Sequence, residues 1–188
     1  MPKHHILTVG ISLFTNFAKE RNCAVEDALK HHHEAAKFLH TDPRKASAEL
    51  NSLDSRTAFL NKPQPDLAVT LVFTTTGLGK SAASLLEKEL KFRKVMVHRL
   101  PVRGFDAPAR DCTPEFAARE SAAALTDLRQ RVVEHVARLQ KATPTPVIEL
   151  NCTGGYKGEC AVLYELGLAL RLPIYYLHET FKVAVELP

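Results

Sequence analysis

Hydrophobic positions along this chain fall into short runs separated by longer segments of helical spacing. Ile6 to Leu13 is β-branched and apolar and reads as a first strand. Leu67 to Phe73 and Val147 to Leu150 are unbroken apolar runs, the pattern of strands covered on both faces in a parallel sheet. Val95 to Val97, Ile174 to Leu177 and Phe181 to Leu187 read as further strands, the last two as a hairpin. Asn22 can cap a helix through Ala28, Leu29, Ala35, Ala36 and Leu39. Asp42-Pro43 starts another, with Asp as N-cap and Pro at the first helical position, running through Leu50, Leu53 and Phe59. Ser81 to Leu90, a long segment opened by Thr113-Pro114, and about Gly158 to Leu170 are also helical. Strands alternating with helices predict an α/β fold: a single Rossmann-like domain over residues 1–188, a mostly parallel sheet with helices on both faces and an antiparallel C-terminal strand.

Composition narrows the class. At 188 residues and 45% hydrophobic content, the chain can bury one ordinary core. No apolar run has the length to cross a bilayer, and Thr8, Gly10 and Ser12 interrupt the first one, which argues against a signal peptide. A soluble, cytoplasmic protein is expected. Cys23, Cys112, Cys152 and Cys160 form no C-x-x-C pair and no zinc spacing, so free and mostly buried thiols are expected. The net charge of +4 is mild and does not by itself name nucleic acid as a partner.

In such sheets ligands bind at the carboxyl ends of the strands. Four strand ends carry polar or glycine-bearing sequence: Gly10-Ile11-Ser12, Thr74 to Gly79, Arg99 to Gly104 and Asn151 to Lys157. In the last, Gly154 and Gly155 would let the backbone come close to a ligand. The following helix start offers unpaired N–H groups, and Lys157 adds charge. That suits a phosphodiester; equally, it describes a tight turn with a solvated lysine. Gly77-Leu78-Gly79-Lys80-Ser81-Ala82 lacks the first glycine of a P-loop and fits G-x-G-x-x-A only weakly. It leaves NADP binding as a minor alternative to a plain helix entry. Arg103-Gly104 can hold a phosphate or stack on a base. His31-His32-His33 has no i, i+4 partner and reads as a solvated face. His178-Glu179 suits acid–base work less than a hairpin corner. No G-x-S-x-G surrounds Ser12.

Leu7 to Asn16, Ser47-Ala48-Glu49-Leu50-Asn51-Ser52-Leu53, Asn151-Cys152-Thr153-Gly154-Gly155-Tyr156-Lys157 and Pro173 to Phe181 together resemble the CARF (CRISPR-associated Rossmann fold) proteins, and most of all the stand-alone ring nucleases of type III CRISPR systems. The resemblance implies a homodimer that binds cyclic oligoadenylate, usually the tetramer. It implies cleavage to linear products with 2′,3′-cyclic phosphate ends, with no metal and no cofactor. It carries the catalytic roles to Ser12 and Lys157. Ligand contacts are then expected from Gly10, Ile11, Thr76, Gly77, Arg103, Gly104, Asn151, Thr153, Gly154, Gly155 and Tyr156. The expected partners are the ring and a second copy of the chain, with neither DNA nor a membrane. The alternative is a non-catalytic sensor of the ring that acts with a separate effector.

Overall fold

The computed structural model describes residues 1–104, 113–178 and 180–188. Strands β1 (Lys3–Thr8), β2 (Leu67–Thr74), β3 (Met96–Val102), β4 (Val147–Asn151), β5 (Ile174–Leu177) and β6 (Ala184–Leu187) form one sheet in the order β3-β2-β1-β4-β5-β6. All pairings are parallel except β5 with β6. The chain winds outward from β1 to β3, then crosses back to lay β4 on the other side of β1. The direction reverses between β1 and β4, which is where such folds open a crevice.

Alternation along β1 sends Ile6 to one face and Leu7 to the other. Helices α1 (Ser12–Arg21), α2 (Val25–Ala28), α3 (His32–Thr41), α4 (Pro43–Ala46), α5 (Ala48–Thr57) and α6 (Gly77–Phe92) bury one face. Helices α7 (Pro114–Gln140) and α8 (Lys157–Leu170) bury the other. Among the described residues no helix is long and apolar enough to cross a membrane.

The first strand is shorter than its apolar run suggests. It ends at Thr8, and Leu13, Phe14, Phe17 and Ala18 instead form the buried stripe of α1. Their i, i+4 spacing was present in the sequence, but β-branched neighbours masked it. Asn22 is therefore not an N-cap: it closes α1 at φ 53°, the left-handed position that Asn tolerates. Asp42 does cap α4, accepting from the Lys45 N–H, but Ser47 restarts the helix as α5 by accepting from Leu50 N–H. β3 runs five residues past the expected Val97, to Val102. It accommodates Pro101 because β3 is an edge strand, where proline costs no ladder bond. Arg99 accordingly sits within β3 rather than after it, over the Phe73 ring and paired with Glu87.

The core carries histidines. The Thr70 hydroxyl lies between His4 Nε2 at 2.6 Å and His135 Nε2 at 2.7 Å. Arg138, which can only donate, approaches His135 Nδ1. His135 Nε2 then donates to Thr70, and Thr70 donates to His4. Burial pushes the pKa of His4 down to about 3 and that of His135 to about 4, with neighbouring cationic groups adding to both shifts. Burial also lowers His5 to about 4; its Nδ1 meets the Tyr175 hydroxyl at 3.0 Å. Cys23 is exposed, a departure from the buried thiol expected, while Cys152 and Cys160 are half-buried. Cys112 and Glu179 lie outside the described residues.

Candidate functional site

The reversal between β1 and β4 brings the chain after β1 against the turn after β4. A Cβ on Gly10 would stand 2.7 Å from Gly155 N; one on Gly154 would stand 2.6 Å from both Thr8 O and Glu49 Oε1. Gly155 has φ +89° and is wedged between Thr8 and Glu159. The paired glycines thus let this turn approach its own strand and helix, where the sequence suggested approach to a ligand.

Glu49 is the centre of this packing, and sequence reading did not single it out. It is 1% exposed on the first turn of α5. Its Oε1 accepts from Gly10 N–H at 2.8 Å, and its Oε2 from the hydroxyls of Ser12 at 2.6 Å and Ser47 at 2.7 Å. Ser12 Oγ also accepts from Ala48 N–H at 3.1 Å. Glu49's signals in the sequence were its place in the Ser47 to Leu53 segment of the resemblance and a serine two residues before it, and neither marks the hub of a buried network. A second buried carboxyl, Glu159, accepts from Tyr156 N–H at the start of α8. Burial raises its pKa to about 7, against the pull of that N–H.

Asn151 and Thr153 are also engaged by the fold. Asn151 Oδ1 accepts from Ser52 Oγ and Thr153 N–H, and Asn151 Nδ2 donates to the Tyr175 hydroxyl. Thr153 Oγ1 meets Ser52 Oγ at 2.7 Å and accepts from Leu177 N–H at 2.9 Å. Together they tie α5 to β4 and β5. Thr76 caps α6 by accepting from Gly79 N–H, and Gly77 beside it faces open space. Those contacts are a helix entry, and the segment forms no phosphate loop of its own. Arg103 is held by α7: its N–H donates to Asp127 and its guanidinium pairs with Glu120, with half-buried Gly104 following. Ile11 occupies the N-cap position of α1. Tyr156 and Lys157 are exposed at the start of α8, and Lys157 has no ion-pair partner among the described residues.

Beside this packed centre lies a cleft of about 1290 Å³. α1 contributes Asn16 and Lys19, and α4 contributes Arg44 and Lys45. Ala48 and Asn51 of α5 and Thr153 after β4 form the floor, and the β5–β6 hairpin closes it with Tyr176, His178 and Lys182. Of the residues expected to bind ligand, Thr153 lines it. Arg44 is paired with buried Asp54 and Lys45 with Glu20. Lys19 and Lys182 have no ion-pair partner among the described residues. His178 Nδ1 accepts from Thr180 and Phe181 N–H, which fixes the ring at the hairpin corner and leaves Nε2 as its donor. Tyr176 stands 6.2 Å from this ring and Phe181, 71% exposed, 4.5 Å. Cations beside aromatic rings suit phosphates linked to bases. Burial pushes the Cys152 thiol in the wall up to about 12, so it is no nucleophile. Among the described residues, no cluster of His, Cys, Asp and Glu could hold a metal, His31 to His33 included.

Comparison with known proteins agrees with this frame. No curated protein matches the chain. The solved structure of Enterococcus italicus Csm6 bound to cyclic hexa-2′-fluoro-hexa-dAMP aligns with a TM-score of 0.50 and 11% identity, over 96% of this chain and 34% of that one. Can2 from Sulfobacillus thermosulfidooxidans in complex with cyclic tetra-adenylate aligns with a TM-score of 0.48 and 10% identity, over 94% and 32%. This chain therefore spans about a third of the length of either protein. At such identity the first likeness speaks to the fold, the Rossmann-like one expected. The family model described as CRISPR-associated protein (Cas_APE2256) matches residues 44–188, most of the sequence, and the chain belongs to that CRISPR-associated family.

Proposed function

We propose that this protein binds cyclic oligoadenylate, with cyclic tetra-adenylate as the preferred ring, at its carboxyl rim as a homodimer. We further propose that it cleaves the ring to linear products ending in 2′,3′-cyclic phosphate. The observation that carries the reading is the cleft itself: Lys19 and Lys182, without an ion-pair partner among the described residues, and the aromatic hairpin corner adjoin the turn that presents Lys157. A cyclic tetranucleotide has near-twofold symmetry, and an isologous dimer offers the same patch twice. Cleavage then consists of placing a ribose 2′-hydroxyl in line with its phosphate and stabilising the charge that develops. The 2′-oxygen bonds to phosphorus as the P–O5′ bond breaks, with water taking the 2′ proton and giving one to the departing 5′-oxygen. Lys157, at the first position of α8, adds its ammonium to the partial charge of the helix start.

Labelled cyclic tetra-adenylate incubated with the protein in EDTA tests this. Linear di-adenylate accumulating slowly is the expected result. Tight binding of an intact ring makes the protein a sensor. That second reading draws support from the turn's glycines, which serve internal packing rather than close approach to a phosphate. No binding removes both.

A further inference from the structure

The Ser12–Glu49 contact says which part of such a ring Ser12 can serve. The Ser12 hydroxyl has one proton, and that proton is committed to Glu49 Oε2 at 2.6 Å. One of its two acceptor sites takes Ala48 N–H at 3.1 Å. What remains on this half-buried side chain is a single lone pair, so Ser12 can accept one more hydrogen bond and can donate none. Glu49 cannot turn away, because Gly10 N–H and Ser47 Oγ hold the same carboxylate from two other sides. A phosphate oxygen is an acceptor, and the carboxylate behind Ser12 also repels it. A ribose 2′-hydroxyl is a donor and is neutral.

We propose that Glu49 is a positioning residue that fixes Ser12 as a hydrogen-bond acceptor for a ribose 2′-hydroxyl of the bound ring. This rests on the reading of the rim as a cyclic oligoadenylate site. It makes the pair a filter for ribose over deoxyribose, independent of cleavage. Ser12 holds the attacking oxygen's hydrogen to one side and leaves a lone pair of that oxygen for the adjacent phosphorus. Lys157 and the helix start are left to meet the phosphate charge.

The test is calorimetric binding of cyclic tetra-adenylate and its all-2′-deoxy analogue to the intact protein, with thermal melts confirming that each variant folds. The wild type is expected to prefer the ribose ring by about three- to tenfold per contact made. Ser12→Ala loses this preference, and Ser12→Thr, which keeps a hydroxyl, retains it. Glu49→Gln reverses the contact: part of the preference persists, because a 2′-hydroxyl also accepts, but its hydrogen is no longer held and cleavage falls more than ring affinity. The glutamine amide donates to Ser12 Oγ, fills its last lone pair and frees the serine proton to point outward. Equal affinity of the wild type for both rings, or undiminished preference in Ser12→Ala, overturns the inference while leaving the rim as a ring site. Failure of the wild type to bind either ring overturns the functional reading, and the inference with it.

Discussion

Two glycine-bearing turns, after β4 and after β2, look alike in sequence and do different things. In the first, Gly154 and Gly155 are pressed against Thr8, Glu49 and Glu159. In the second, Gly79 packs under Thr74, but Gly77 has nothing within 4 Å of where a Cβ would stand. Both turns start helices, α8 and α6. A glycine marks close approach by something; only the fold says whether that is a ligand or the chain itself. The cleft cations without an ion-pair partner among the described residues, Lys19 and Lys182, belong to neither turn.

The largest expected effect bears on the central strands that carry both turns. His4, His5 and His135 are held neutral, with pKa values of about 3, 4 and 4 against 6.5 unfolded. Their contribution is complete above about pH 6.5 and is lost as the pH falls toward about 4, because the unfolded chain takes up protons that the folded one refuses. Glu159, raised to about 7, acts in the opposite sense over the same range. Three groups against one leave a net loss of about 2–3 kcal/mol per pH unit between roughly pH 6 and 5. Urea titrations across that range measure it, and a flat stability profile contradicts the neutral core.

Single substitutions separate the turns. Gly154→Ala is expected to cost about 3 kcal/mol, since its new methyl meets backbone and a buried carboxylate. Gly77→Ala at the open first turn of α6 should be neutral or stabilising by roughly 0.5 kcal/mol. Similar melting temperatures for the two variants would dissolve the contrast. Lys157→Ala should reduce cleavage sharply and weaken ring binding by about 1.5–3 kcal/mol. An unchanged rate would remove its assigned role. The smallest effect is on salt dependence: removing Lys19 or Lys182 should flatten log K against log salt by about 0.7 per phosphate contact.

The alternation of strands and helices along the chain could be read because continuous apolar runs and the punctuation at Asp42-Pro43, Thr113-Pro114 and Pro173 are local signals. The missed α1 and the overlong first strand share one cause: Ile11, Leu13 and Phe14 fit either period over so short a window. Ser12 and Lys157 were put forward through a family resemblance. Glu49, the residue that ties Ser12 down, lay inside a quoted motif but was given no role, because two of its three donors, Gly10 N–H and the Ser12 hydroxyl, come from a distant segment that meets it only in the folded chain. The cleft was equally invisible. Its walls are drawn from α1, α4, α5 and the β5–β6 hairpin, and residues more than a hundred positions apart face one another across it.

The account depends on that cleft taking a cyclic oligoadenylate, and titration calorimetry of cyclic tetra-adenylate into the wild type and the Lys19→Ala/Lys182→Ala variant tests it most directly. Saturable binding by the wild type, weakened at least about tenfold in the double variant, is the predicted result. Equal affinity for the two proteins, or no heat of binding to either, contradicts it.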